Sequence, residues 1–146
     1  MKFGVEIPFV HHLGFELQLF DAGFSEIVFD TQPEHLNSFD VTHGGAVMTL
    51  LDVAMALAGR SVQKEMGVVT IEMKTSFMRP SQGKLLAKGH LLHRTATLAF
   101  TEGTVYDAQG RACAHATGTF KYVRKLATGR KTVQGLQLTT DQISTD

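Results

Sequence analysis

The sequence predicts an α+β fold in which one long buried helix is wrapped by a curved antiparallel sheet. Three observations predict it. From Ala46 to Ala58 the only polar residues are Thr49 and Asp52, and the rest are mostly Ala, Leu and Met, strong helix formers. The segments on either side alternate apolar and polar residues, which is the period of a strand. Turn signals, not further helices, separate those segments, so neighbouring strands run antiparallel. A helix that is apolar all round must be covered all round, and a flat sheet covers only one side. Either the sheet curls round it or a second copy of the chain covers the remainder.

Taken in order, Ile7 to Leu13 reads as a short helical lead-in, with Pro8 suited to a first turn. Phe15 to Leu19 alternates as a strand, Asp21-Ala22-Gly23 is a turn, and Phe24 to Asp30 is the returning strand. Thr31 to Val41 is polar and irregular and reads as a loop. The helix follows, with Thr42 as its expected cap and Gly59 as its expected end. Val68 to Met78 places Val69, Ile71, Met73 and Phe77 on one parity and Thr70, Glu72, Lys74 and Ser76 on the other. Arg79 to Gly83 breaks that strand. Lys84 to Leu92 and Ala96 to Tyr106 are further strands, joined to a last one, Arg111 to Val123, by the hairpin turn Asp107 to Gly110. Ala112, Ala114, Ala116 and Gly118 on one face of that last strand let a helix or another chain come close. The organisation is one domain over residues 1–125 and a polar, loosely ordered tail over 126–146.

Composition excludes several classes. The chain has 146 residues, 43% hydrophobic and 19% charged, which suits one folded domain. Its 14 basic and 14 acidic side chains cancel, so binding nucleic acid through bulk charge is not expected. Self-repulsion is small, which permits assembly. One cysteine excludes an internal disulfide framework and a cysteine-based zinc cluster. No apolar run reaches the ~18 residues of a membrane span, and Met1 to Glu6 lacks the apolar core of a signal peptide. A cytoplasmic location without membrane attachment is the expectation.

Two features carry chemistry. Asp52 sits mid-helix beside Leu50, Leu51, Val53 and Ala54, where a carboxylate costs free energy or has its pKa raised. It is either a catalytic base or nucleophile, or a side chain paired to a backbone donor or placed on a small exposed seam. Thr42-His43-Gly44-Gly45 lies where the helix begins, and helix N-termini offer unpaired N–H groups and a favourable dipole. It is either an oxyanion hole for a carbonyl or a glycine-rich turn in which His43 packs or caps. Gly44 and Asp52 are separated by ~12 Å along one helix axis, at about 1.5 Å per residue. Reacting atoms must approach to ~3–3.5 Å. If both act on one substrate, the carboxylate comes from a second copy and the site straddles a homodimer interface.

Asn37, His43-Gly44-Gly45, Leu50 and Asp52 together resemble the signature of the hotdog-fold acyl-CoA thioesterases of the phenylacetate-pathway type. Thr70 to Lys74 with Phe77-Met78-Arg79-Pro80 is similar to that family's central strand, and Asp107 to Gly110 with Ala114 to Phe120 to its closing hairpin. The resemblance spans about residues 8–125. It implies a long helix wrapped by an antiparallel sheet, a dimer with a continuous sheet, and often a tetramer. It implies hydrolysis of an acyl-CoA thioester to a carboxylic acid and coenzyme A, with no metal or redox cofactor. By resemblance, the Gly44 N–H polarises the thioester carbonyl, with Asn37 and His43 shaping that site and Gly45 beside it as a substrate-binding residue. Asp52 of the opposing subunit is nucleophile or general base, and the Thr70 hydroxyl helps orient water. His93-Arg94-Thr95 stands where many relatives have a glycine-containing turn.

Arg79, His93 and Arg94 are candidates to meet coenzyme A phosphates, against the alternative of solvated charges at strand ends. Lys121, Arg124, Lys125, Arg130 and Lys131 read as a solvated basic stretch. The strand assignment puts His90 and His93 on opposite faces, so neither they nor His11-His12 are expected to bind metal. Cys113 reads as a small core residue. Phe9, Phe15, Phe24 and Met48 are candidates to line an acyl pocket, with core packing as the default. Two other functions stay open: a non-catalytic acyl-CoA sensor and an acyl-thioester hydratase on the same fold.

Overall fold

The computed structural model describes residues 3–124. The expected tail, with Lys125, Arg130 and Lys131 of the basic stretch, lies outside the described residues. The elements are α1 (Pro8–Leu13), β1 (Glu16–Asp21), β2 (Phe24–Asp30), α2 (Gly44–Arg60), β3 (Gly67–Phe77), β4 (Lys84–Arg94), β5 (Leu98–Tyr106) and β6 (Ala112–Val123). The six strands form one sheet in the order β1-β2-β4-β5-β6-β3, with every neighbouring pair antiparallel. α2 packs against all six. Strands ~4.8 Å apart make a sheet far wider than a helix of ~10 Å, so contact with every strand requires the sheet to curl round α2. This is the α+β architecture the sequence predicts.

The core lies between α2 and the concave face. Leu50, Leu51, Ala54 and Met55 are fully buried against Ile27, Phe29 and Phe120. Each such large side chain contributes about 2 kcal/mol of burial free energy. Phe15 is buried and meets Phe29 edge to face at 5.1 Å. Close approach is made possible by small residues: a Cβ at Gly89 of β4 would collide with the carbonyl of Ala54. Ala114, Ala116 and Gly118 of β6 line the helix-facing side, whereas a register shift at Cys113 takes Ala112 off the face the alternation assigned it. Cys113 is buried. In the β5–β6 turn, Asp107 Oδ1 accepts from the N–H groups of Gln109 and Arg111, and Oδ2 accepts from Arg111 Nε at 2.9 Å. Those bonds lower the Asp107 pKa.

Several expectations are corrected. α2 runs from Gly44 to Arg60, starting one residue later than a Thr42 cap implies and ending one residue beyond Gly59. His43 caps it, not Thr42, whose hydroxyl is shared with Thr31 at 2.9 Å. Gly59 does not end the helix. It lies inside it, where an added Cβ would be 3.2 Å from Ala99 of β5. Ser61 closes the helix, its hydroxyl donating to Ala58 O and accepting from Gly23 N–H. β5 starts at Leu98 because Thr95 Oγ1 accepts from the N–H groups of Thr97 and Leu98, which makes 95–97 a turn. The loop 31–41 contains a 3-10 turn, Pro33–His35. Phe9, Phe24 and Met48 are not core: they are 57%, 47% and 38% exposed.

The sheet has four register shifts, and those in β3 and β4 decide which candidate residues share a face. In β3 the register passes from Thr70↔Phe120 to Glu72↔Thr119, skipping Ile71. Thr70 therefore joins the helix-facing side, with Met73 and Phe77, and not the side the alternation assigned. In β4 it passes from Leu91↔Thr101 to His93↔Phe100. His90 and His93 consequently lie on the same outer face, not on opposite ones. Among the described residues, no group of three or more His, Cys, Asp or Glu is placed to hold a metal ion. No helix there is long and apolar enough to cross a membrane.

Thr101 of β5 faces α2, is 1% exposed, and its hydroxyl has no partner among the described residues. A buried hydroxyl without a partner is destabilising, and an apolar group of the same shape relieves that. Thr101→Val is expected to stabilise the fold by about 1 kcal/mol, roughly a 3 °C rise in Tm by thermal unfolding.

Candidate active site

The start of α2 is built by hydrogen bonds from three segments. The first four N–H groups of a helix have no partner within it. Here His43 N–H donates to His35 O at 2.8 Å, Gly45 N–H to His43 Nδ1 at 2.8 Å, and Ala46 N–H to His43 O at 3.0 Å. The remaining one, Gly44 N–H, has no acceptor among the described residues. His43 thus takes up Gly45 and leaves Gly44 as the free donor at the positive end of the helix dipole. Thr42 N–H donates to Ser81 O at 2.8 Å, which ties the helix entrance to the β3–β4 connection.

Asn37 organises the loop before this point. Its Oδ1 accepts from Phe39 N–H at 2.8 Å and Val41 N–H at 3.4 Å. Its own N–H donates to Val41 O, and Leu36 pairs with Thr42. The result is a tight hairpin with Phe39 at its tip. Asn37, Phe39, Gly44, Val47, Phe77, Met78 and Arg79 border one open cleft of about 670 Å³. Arg79 stands on its exposed rim, with Nη1 donating to Ala112 O at 2.8 Å.

Asp52 lies two turns along α2 and does not border that cleft. It falls on a seam of α2, with Gly45, Met48, Thr49 and Ala56, that the chain's own sheet does not fully cover. Thr70 Oγ1 donates to Asp52 Oδ1 at 2.7 Å. This contact depends on the β3 bulge, which turns Thr70 toward the helix. Burial raises the Asp52 pKa above the usual carboxylate value, and the Thr70 bond lowers it by less. Oδ1 is engaged by Thr70, and Oδ2 has no hydrogen-bond partner among the described residues.

The predicted residues therefore fall into three groups. Gly44, Gly45, His43, Asn37 and Arg79 meet at the N-terminal end of α2, and Asp52 and Thr70 meet on its seam. His93 and Arg94 lie elsewhere. Arg94 borders a second cleft with Gln63, Thr95 and Ala96, beyond the C-terminal end of α2, and His93 stacks on Phe100 on the outer sheet face. A 17-residue helix spans ~25 Å, so Arg94 and Arg79 sit at opposite ends. Phe39, Phe77 and Ser81 are site residues that sequence reasoning passed over. An isolated phenylalanine inside a polar loop was the available signal for Phe39.

Residues 39–114 match the family model described as the thioesterase superfamily. The medium/long-chain acyl-CoA thioesterase YigI of Salmonella typhimurium is 25% identical over 135 residues, covering 81% of this chain and 87% of that protein. Among solved structures, the Escherichia coli PaaI protein from the phenylacetic acid degradation operon superposes with a TM-score of 0.73 at 22% identity, covering 78% of this chain and 83% of that one. The smu.793 protein of Streptococcus mutans, bound to acetyl CoA, gives a TM-score of 0.70 at 24% identity, covering 77% and 90%. Both structures share the fold.

A carboxyl whose pKa the fold raises opposes folding once it ionises. Stability falls as pH rises from the unfolded carboxylate value, about 4, through the raised folded value, and stays lower above it. Asp52→Asn keeps the shape and cannot ionise. It is expected to melt at a higher temperature than the parent at neutral pH, with the advantage vanishing below about pH 4. Thr70→Val removes the bond that lowers the Asp52 pKa, so an NMR titration of the Asp52 carboxyl carbon is expected to move upward.

Proposed function

The chain belongs to the thioesterase superfamily, and from that we propose that it hydrolyses an acyl-CoA thioester to a carboxylic acid and coenzyme A. The observation that carries the proposal is the single unpaired amide at the start of α2, Gly44 N–H, together with a half-buried carboxylate on the same helix. An amide fixed at a helix N-terminus suits the oxygen of a carbonyl that gains negative charge on attack. Asp52 Oδ2 suits the attack itself, as a nucleophile on the carbonyl carbon or as a base on water. Thr70 holds the carboxylate in place. His43 acts by occupying Gly45 N–H, and Asn37 by shaping the hairpin beside the donor. YigI, named as a medium/long-chain acyl-CoA thioesterase, and the acetyl-CoA-bound streptococcal protein are consistent with this substrate class.

The active unit in this reading is a homodimer. Gly44 and Asp52 of one chain are ~12 Å apart along α2, too far for one thioester. The seam bearing Asp52 and Met48 is uncovered, and β3 is an eleven-residue edge strand with Val69 and Ile71 46% and 56% exposed. A long apolar edge invites pairing with another strand. A second copy pairing there would cover the seam and bring its Asp52 toward the Gly44 cleft. Arg79, on the rim of that cleft, is the proposed contact for a coenzyme A phosphate. His93 and Arg94 can serve the same site only from another subunit, as in a tetramer.

Asp52→Ala is expected to lower thiol release from acyl-CoA by about 10²–10⁴-fold while the fold is kept. Gly44→Pro removes the proposed donor at a first helical position where proline fits, and the preceding His43 already has the extended ψ of 137° that proline requires. Each variant alone is expected to be nearly inactive. Refolded together in equal amounts, they are expected to recover about a quarter of parental activity, because half of the dimers carry one intact site of two. No recovery on mixing would place donor and carboxylate outside a shared intersubunit site.

A further inference from the structure

Phe39 is 83% exposed, more than any other large apolar side chain among the described residues. Its exposure is enforced by the backbone. Asn37 Oδ1 holds the N–H groups of Phe39 and Val41, Asp40 N–H donates to Asn37 O at 3.1 Å, and Asp40 sits in the left-handed region at φ 59°. A residue there is strained unless something fixes it, and Asn and Asp tolerate such turns best. The hairpin therefore presents the ring as a fixed wall. The cleft it borders also contains Gly44, and its other walls include Val41, Val47, Phe77 and Met78. Phe77 lies close enough to contact even a Cβ at Gly44, at 3.5 Å. A free N–H donor and an apolar wall in one cleft match a molecule in which a carbonyl is followed by hydrocarbon. At about 670 Å³ the cleft has room for far more than an acetyl group.

Resting on the thioester reading above, we propose that Phe39 is a specificity-determining residue, the wall against which the acyl chain packs. The protein then favours medium-chain acyl groups, long enough to reach Phe39, over acetyl. Each methylene that packs there is worth about 0.8 kcal/mol, or about fourfold in kcal-to-rate terms. Phe39→Ala is expected to lower the ratio of octanoyl-CoA to acetyl-CoA turnover, measured as kcat/KM, by about tenfold. An unchanged ratio overturns the assignment. A change in the variant's mass in solution also overturns it, because Phe39 would then be a subunit contact.

A second measurement does not depend on turnover. The chain has no tryptophan, so Phe39→Trp places a single indole at the hairpin tip. S-octyl coenzyme A, a thioether that cannot be hydrolysed, is expected to shift its emission to the blue, whereas coenzyme A alone leaves it in place. No shift, or an equal shift with coenzyme A, sinks the proposal. If the parental chain released thiol from no acyl-CoA, the hydrolase reading would fail, and the fluorescence would still report whether Phe39 meets an acyl chain.

Discussion

The rest of the structure depends on one packing constraint: α2 is apolar on more sides than its own sheet can cover. The six strands curl round it, and Gly89, Gly103 and Gly118 let them approach closely. Still, a seam from Gly45 through Met48 and Asp52 to Ala56 is left beside the free edge of β3. The feature that is incomplete as packing is also where the carboxylate sits. In the proposed dimer, covering the seam and assembling the site become one event, because burying Met48 and the β3 edge also buries Asp52.

The entrance to the helix shows a similar economy of donors. Four amides need acceptors there, and the sequence supplies three: the His35 carbonyl, the His43 ring and the His43 carbonyl. A serine or aspartate cap would hold the helix as well. The histidine ring reaches Gly45 and leaves the amide of Gly44, a residue that borders the cleft, without an acceptor among the described residues. The neighbouring hairpin spends its hydrogen bonds on keeping Phe39 extended, not on letting it fold back. In both places a side-chain acceptor, Asn37 Oδ1 or His43 Nδ1, pins the main chain, and pinned main-chain donors reorganise little.

Local rules are broken at a few positions, and these converge on one end and one face of α2. Asp52 is a carboxyl held partly out of water. Phe39 is an aromatic held out in water. Asp40 is held at positive φ, and the Gly44 amide is unpaired among the described residues. Elsewhere, apart from the unpartnered hydroxyls of Thr75 and Thr101 and the positive φ of Ala22, local preference and tertiary placement agree among the described residues. Asp107 shows the agreement: a turn aspartate accepts the turn's own amides and its pKa falls. Sequences commonly depart from local consistency where function requires it.

Much was legible in the sequence, for a physical reason. Hydrophobic period and turn chemistry are local, so the apolar run of α2, the alternating strands and the Asp107–Gly110 hairpin could be read directly, with ends in error by one or two residues. Asp52 stood out because a charge among leucines contradicts its neighbours, and Gly44-Gly45 because two glycines mark a helix entrance. The resemblance then supplied Asn37 and Thr70. What the tertiary structure alone decided was relative placement. A bulge at Ile71 reverses strand parity and turns Thr70 to Asp52, and another beyond Leu91 puts His90 and His93 on one face. The choice of His43 over Thr42 as cap, the separation of Arg79 from Arg94 by the length of α2, and the cleft between Phe39 and Phe77 are likewise set by contacts between segments far apart in the chain. Periodicity carries no information about a skipped residue or about which distant carbonyl accepts a given amide, so these could be settled only in three dimensions.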